Sequence, residues 1–244
     1  GDLIYSLSAI KKLSELHGPV DLCIGFDRIS HTPNHPSGDY TMNDASYKYL
    51  LPLLKSLPYI KSVERAKGEV DYDFDKFRDV GFQLGAYDLR RWHGMVYPEL
   101  NSSTIMSEAC IEIEDKLPYV LGKIVIARSG RYRMNIDYSV LKPYEADLIF
   151  VGYDNEYEDF TTKFRIYPKR VHVKDALHMA TIINSCDLFI GNQSSGLAIA
   201  EQMKVNRALE VYTPSPNVIV SGANGRDFYN TEGLKYILHD RGLR

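Results

Sequence analysis

Three short apolar runs in the second half of the chain constrain the fold most: Lys123-Ile-Val-Ile-Ala127, Asp147-Leu-Ile-Phe-Val-Gly152 and Asp187-Leu-Phe-Ile-Gly191. Each is bounded by a glycine or a charge and lacks the apolar/polar alternation of a strand with one wet face. Such runs read as strands buried on both faces. Between the last two, Asp175 to Cys186 reads as a helix, with Leu177, Ala180 and Ile183 at three-residue steps and Asp175 at the capping position. A second helix spans Leu197 to Met203, opened by Ser194-Ser195, and Arg207 to Tyr212 reads as the next strand. Buried strands alternating with helices predict βαβ units, a parallel sheet and helices on both of its faces.

The first half is similar but less regular. Leu3 to Leu16 is predicted helical, ended by His17-Gly18-Pro19. Val20 to Gly25 reads as a strand, His31 to Asp39 as a loop and Asp44 to Leu57 as a helix. Ile60–Val63 and Val70–Asp73 are short strand candidates, and Met106 to Ile113 is expected to be helical. Lys116-Leu-Pro-Tyr-Val-Leu-Gly122 reads as a linker. The pattern predicts two similar Rossmann-like α/β domains, split near residue 120. A Rossmann-like unit begins with a strand, and this chain opens at Gly1-Asp2 without Met, so a preceding strand is expected to be missing.

Composition narrows the function. The 244 residues carry 29 Lys+Arg against 32 Asp+Glu, a formal charge of −3. That balance lacks the basic face that nucleic-acid or membrane-surface binding needs. No apolar run reaches the roughly 18–20 residues of a membrane span. Cys23, Cys110 and Cys186 are widely spaced, so neither a zinc site nor a disulfide framework is indicated. With no signal peptide, a cytoplasmic location is expected.

The segment from Asp187 to Gln202 is the first candidate for chemistry: a buried strand, a glycine-bearing turn, two hydroxyls, then a small-residue helix. It sets free backbone N–H groups and the positive end of a helix at the C-terminal edge of a parallel strand, where phosphates bind. The plain alternative is a βα turn in which Ser194 or Ser195 only caps the helix. Gly191 to Gly196 mimics the start of a phosphate-binding Walker loop, but no Lys-Ser/Thr follows, and no GxGxxG is present. The second candidate is Arg128-Ser-Gly-Arg-Tyr-Arg-Met-Asn135, directly after a strand. Arg128, Arg131 and Arg133 there could clamp a diphosphate by charge-assisted bonds, or form a solvated charge cluster. Tyr132 could stack on a base or pack half-buried. Glu201, one turn further into the helix, could reach a ribose hydroxyl or stand in solvent. His31, His35 and Asp39 invite a metal reading, but their spacing is loose and no Cys or Glu completes a site. His172 is expected on a strand and His178 on a helix. Trp92 and the eighteen tyrosines include candidates for stacking on a sugar, none singled out by pattern.

The Gly191-Asn-Gln-Ser-Ser-Gly-Leu-Ala-Ile-Ala200 segment resembles the nucleotide-sugar loop of glycosyltransferase family nine, the bacterial heptosyltransferase-type GT-B enzymes. That loop runs roughly Gly-Asn-Asp-Ser-Gly-Pro-x-His-x-Ala-Ala, and Gly191, Asn192, Ser194 and Ala200 match it. Gly1-Asp2-Leu3-Ile4 with Leu7-Ser8-Ala9-Ile10 resembles the family's opening motif, and Phe150-Val-Gly152 with Glu156 its Val-Gly-x-x-x-Glu turn. The chain departs from the family at Gln193 (Asp there), Ser195 (Gly) and Ala198 (His), and it is short for it.

The resemblance implies a GT-B-like α/β protein whose Rossmann-like domains, 1–118 and 119–244, face a cleft, and an inverting, metal-independent transferase without a bound cofactor, acting in cell-surface polysaccharide biosynthesis. Its donor would be a nucleotide-diphosphate sugar and its acceptor a glycan or other hydroxyl compound. Nucleic acid is not an expected partner, and membrane contact would be peripheral, through a lipid-linked acceptor. Asp2 would be the general base on the acceptor hydroxyl; its plain alternative is an acidic helix cap. The donor's phosphates would meet Arg128, Arg131, Arg133, Asn192, Gln193, Ser194, Ser195 and Gly196, with Glu201 near the ribose. Two other classes fit the same scaffold: a non-catalytic nucleotide- or sugar-phosphate-binding module, and a nucleotide-sugar epimerase.

Overall fold

A computed structural model describes residues 1–30, 38–79, 87–102 and 104–240. The chain opens with helix α1 (Asp2–His17), which stops where Gly18 takes a left-handed φ of 85°. Strand β1 (Val20–Ile24), helix α2 (Asp44–Ser56) and strand β2 (Ile60–Arg65) form a parallel βαβ unit. Helix α3 (Leu89–Val96) and the short α4 (Thr104–Ser107) lead to a second sheet. That sheet is built from β3 (Ile124–Ala127), β4 (Leu148–Phe150), β5 (Lys169–Arg170), β6 (Leu188–Asn192), β7 (Arg207–Glu210) and β8 (Gly225–Phe228). All its pairings are parallel, in the order β5-β4-β3-β6-β7-β8. Helices α5 (Asp154–Phe164), α6 (Ala176–Ser185), α7 (Ser195–Met203) and α8 (Thr231–Asp240) complete the α/β pattern.

The apolar runs are buried on both faces, as their composition requires. Every residue of β3, β6 and β7 is buried. On β3 the period-2 alternation sends Ile124 and Ile126 to one core, with Phe160 and Phe164 of α5 and Leu234 and Ile237 of α8. Val125 and Ala127 face the other core, with Ala180 and Ile183 of α6 and Leu197 of α7. That second core does not end at the sheet. It continues through Ile4, Leu7 and Ile10 of α1 to Leu53 and Leu54 of α2 and Ile60 of β2. The first half of the chain therefore packs on the outer surface of α6 and α7.

Three expectations are corrected. Val70–Asp73 is not a strand. The Asp73 backbone is satisfied by the Tyr97 hydroxyl, which accepts from its N–H at 2.9 Å and donates to its C=O at 3.2 Å, and the Asp73 carboxylate turns the chain by accepting from Asp75 N. The predicted helix over Met106–Ile113 breaks off at Ser107, because its groups bond elsewhere. The Met106 carbonyl accepts from Lys204 Nζ and Ser221 Oγ, while Cys110 N and Ile111 N donate to the Gln202 carbonyl. His172 lies just past β5 and is exposed rather than strand-borne, whereas His178 is on α6. The loop expected over 31–39 falls largely outside the described residues.

The joint between the halves also holds charge. Glu201 of α7 and Arg90 of α3 are fully buried and paired. Arg207 Nε lies 2.6 Å from the second Glu201 oxygen, and Arg90 is clasped by Asp88 through two 2.9 Å bonds. Ser221 Oγ and Lys204 Nζ close the group. Burial pushes the Glu201 carboxyl up, but Arg90 and Arg207 beside it outweigh that, and the net shift is downward. A carboxyl whose folded value lies below its unfolded one stabilises the fold above that unfolded value, and this contribution is lost as pH falls through the folded value. Glu201→Gln leaves two buried guanidinium groups without their shared anion. It should cost about 3–5 kcal/mol at neutral pH by denaturant unfolding, and the gap to wild type should narrow below about pH 4. A loss under about 1 kcal/mol would show that water or a rearranged partner replaces the carboxylate.

Candidate functional site

The site lies at the C-terminal edge of the six-stranded sheet, where a cleft separates it from the start of α1. β3 and β6 are neighbours, with Ala127 opposite Gly191, so the chain leaves both strands side by side. Gly191 permits the close approach: a Cβ there would stand 2.9 Å from the Phe189 ring and 3.2 Å from the Ala127 carbonyl. The two exits are clasped by Asn192, which is fully buried. Its Oδ1 accepts from Ser129 N at 3.0 Å, and its Nδ2 donates to the carbonyls of Ser129, Arg131 and Tyr132. Asn192 thus shapes the arginine loop rather than reaching into the cleft.

That loop divides its three arginines, which corrects the expectation of a joint clamp. Arg128 is buried, with Nε and Nη2 bonded to the two Glu210 oxygens at 2.7 and 2.9 Å and its guanidinium 4.8 Å from the Tyr138 ring centre. Glu210 also accepts from Met134 N and the Tyr138 hydroxyl, so this pair staples the loop to β7. Arg133 is spent on the loop itself: it donates to the carbonyls of Ser129 and Arg128 and pairs with Asp159. Arg131 lines the cleft, its guanidinium 5.3 Å from the Tyr132 ring centre, with no carboxylate partner among the described residues. Tyr132 holds a left-handed φ of 54° and sets its ring edge-on to Tyr212 at 5.5 Å.

Beyond β6, Gln193 accepts from Tyr212 N at 2.8 Å and donates to Ser215 O and Asn217 Oδ1, fixing the loop over 212–217. Ser194 and Ser195 line the cleft at the start of α7, and Ser194 makes no side-chain cap bond. Gly196 lets this helix start lie on the sheet, 3.1 Å from the Phe189 ring measured from a hypothetical Cβ. Glu201 is corrected: it is fully buried in the joint and does not reach the cleft. Glu156 bonds Tyr153 N and Gly130 N, tying the turn after β4 to the arginine loop.

Across the cleft stands Asp2. It is the first residue of α1, with Gly1 in the capping position, so its side chain is not the N-cap. Its carboxylate lies 2.6 Å from Arg78 Nη2, and Arg78 also bonds Asp75. Burial lowers the Arg78 guanidinium, but Asp2 and Asp75 outweigh it, so its proton is held more firmly than usual. His93 of α3 lines the same wall, stacked on Phe74 at 4.6 Å. Burial pulls its imidazole down to about 4, so it is neutral at physiological pH, and its Nδ1 has no partner among the described residues. Arg78 and His93 carry no sequence signal: each meets Asp2 only through the tertiary packing around α1 and α3. His31 and His35 of the metal reading lie outside the described residues. Among the described residues no cluster of His, Cys, Asp or Glu is arranged to hold a metal ion, and no helix is long and apolar enough to cross a membrane.

No family model matches the chain, and no curated protein matches it in sequence. Solved structures do match. A family 9 glycosyl transferase from Veillonella parvula superposes with a TM-score of 0.59 at 10% identity, over 98% of this chain and 85% of that one. The ADP-heptose LPS heptosyltransferase II of E. coli gives 0.55 at 10% identity, over 99% and 95%. An iron-containing dodecameric glycosyltransferase from enterotoxigenic E. coli gives 0.53 at 11% identity, over 92% and 58%. At such identity the likeness is one of architecture: the chain has the α/β fold of the GT-B glycosyltransferases, and among them of the family-nine and heptosyltransferase structures.

Proposed function

We propose that this protein is a glycosyltransferase that moves a sugar from a nucleotide-diphosphate donor to a hydroxyl acceptor, with inversion and without a metal. One observation carries the reading. The exits of β3 and β6 bring Arg131, Ser194, Ser195 and the N-terminus of α7 to one rim of a cleft whose other wall holds Asp2. The first rim suits a diphosphate: it offers a guanidinium with no carboxylate partner among the described residues, two hydroxyls and the first N–H groups of α7, which have no partner within the helix. The far wall suits an acceptor, because a carboxylate there can take the proton of a hydroxyl.

The reaction follows from that arrangement. The acceptor hydroxyl loses its proton to Asp2 as its oxygen attacks the anomeric carbon from the face opposite the diphosphate. The bond to the diphosphate oxygen breaks with its electron pair, and Arg131 and the positive end of α7 stabilise the departing charge. Arg78 holds the Asp2 carboxylate in place on the wall facing the donor rim. Arg128, Arg133 and Asn192 contribute by fixing the loop that carries Arg131. The nucleotide-sugar donor and a glycan-like acceptor are the partners this reading requires.

Three outcomes are expected. Asp2→Asn should retain nucleoside-diphosphate binding and lose roughly 10²–10⁴-fold in turnover of the nucleotide sugar; turnover within threefold of wild type would reduce Asp2 to a surface partner of Arg78. Arg131→Ala should weaken nucleoside-diphosphate binding by about 1.5–3 kcal/mol, the worth of a charge-assisted bond, while leaving nucleoside binding unchanged in the same titration. Equal losses for both ligands would place Arg131 away from the phosphates. Nucleoside diphosphates should raise the Tm of wild type, free sugars should not, and Ser194→Glu should abolish the rise. A folded Ser194→Glu protein with undiminished affinity would mean that the phosphates do not sit at the α7 terminus.

A further inference from the structure

Gln202 is fully buried on α7 and uses its whole carboxamide on the first half of the chain. Its Nε2 donates to the carbonyls of Ile4 and Tyr5, at 2.8 and 3.1 Å, in the first turn of α1. Its Oε1 accepts from Ser8 Oγ at 2.9 Å and from Cys110 Sγ at 2.8 Å. Its backbone carbonyl takes the N–H groups of Cys110 and Ile111. None of these bonds faces the cleft. Seven residues separate Gln202 from Ser195. That is nearly two turns, so both sit on one face of α7, roughly 10 Å apart along its axis. One end of this face meets the cleft and the other grips the turn that begins with Asp2.

Resting on the reading of Asp2 as the general base, we infer that Gln202 is a positioning residue that sets the Asp2 carboxylate against the donor rim. The rim is the N-terminus of α7 itself, so α7 measures the distance between base and donor through one rigid helix. Misplacing reacting groups by about 1 Å costs on the order of 10²-fold, and a loose first turn of α1 would do so. The Ile4 and Tyr5 carbonyls have helical partners of their own within α1, so loss of the carboxamide frees the turn without orphaning them. Ser8 probes the same grip from α1, because its hydroxyl is the one α1 side chain bonded to the carboxamide.

The test compares wild type with Gln202→Met, which keeps the volume, and with Ser8→Ala, which keeps α7 unchanged. Hydrogen exchange is followed over residues 2–8, ADP, GDP and UDP are titrated, and turnover is assayed with ADP-, GDP- and UDP-linked sugars. In Gln202→Met, exchange over residues 2–8 should rise at least tenfold with the central strands of the six-stranded sheet unchanged. Nucleoside-diphosphate affinity and donor KM should stay within twofold, and kcat should fall at least tenfold. Ser8→Ala should move the same readouts in the same direction by a smaller factor, and carries the test if Gln202→Met does not fold. Unchanged exchange over residues 2–8 overturns the inference, and so does risen exchange with unaltered kcat. If wild type turns over none of the sugars, the Asp2 reading fails, and the inference falls with it as far as catalysis is concerned. The exchange comparison then still decides whether Gln202 fixes α1 on α7.

Discussion

The Glu201 carboxylate is the interaction on which the two halves depend. Three cationic side chains converge on it, from α3, from Lys204 just past the end of α7 and from β7, and two of them are fully buried with it. Taking these charges out of water is expensive, and a buried pair seldom exceeds well-packed apolar residues in net stability. What the arrangement supplies is geometry. Arg90 has five N–H donors in a fixed fork, and their partners come from three places: Asp88 in its own segment, Glu201 on α7, and Ile219 and Ser221 on the irregular run before β8. An apolar joint could slip by a fraction of an ångström; a forked guanidinium with every direction assigned has one seat. The joint is therefore specified rather than merely glued, and α1, lying on α7 beside it, inherits that precision.

The same logic recurs on the donor side. Arg128 and Glu210 are a second buried pair, and their spare capacity holds Met134 N and the Tyr138 hydroxyl. Burial and the adjacent Glu210 hold the Tyr138 phenol well above its ordinary value, which keeps its proton available to donate to Glu210. Arg133 closes the loop from its other end. Two arginines are thus consumed to present the third. A free loop with three guanidinium groups would repel itself and move; this one has a single outward charge on a backbone pinned by Asn192.

This explains which parts of the structure were legible in the sequence. The strands at 124–127, 148–150 and 188–192 were readable because burial on both faces demands unbroken apolar runs, and Asp175 does cap α6 by accepting from His178 N. The helix at 195–203 was readable from its small residues and its pair of serines. Val70–Asp73 and Met106–Ile113 were not, because their backbone groups bond to Tyr97, Lys204, Ser221 and Gln202, all distant in sequence. The fate of each arginine was hidden for the same reason. Spacing shows that Arg128, Arg131 and Arg133 share a loop, while Glu210 and Asp159, which claim two of them, lie 82 and 26 residues away. Glu201 reads from the sequence as a ribose contact or a solvated helix carboxylate because nothing local announces Arg90, 111 residues before it.

The departures from the family-nine loop have local physical reasons as well. At Gln193 the side chain must both accept, from Tyr212 N, and donate, to Ser215 O and Asn217 Oδ1. An ionised Asp only accepts and is one methylene shorter, so it could not hold the 212–217 loop in this way. Ala198 is fully buried in the core shared by α1, α6 and α7. A histidine at that position would have to displace packed side chains and find partners for two ring nitrogens there. Ser195 occupies the first turn of α7, where a hydroxyl beside the unpaired N–H groups adds a donor at the rim. Of the three positions, 198 lies in the core shared with α1, while 193 and 195 line the cleft. A chain that packs α1 tightly on α7 gives up the space for an imidazole at 198, and a hydroxyl at 195 puts a polar group back where the donor's phosphates are proposed to lie.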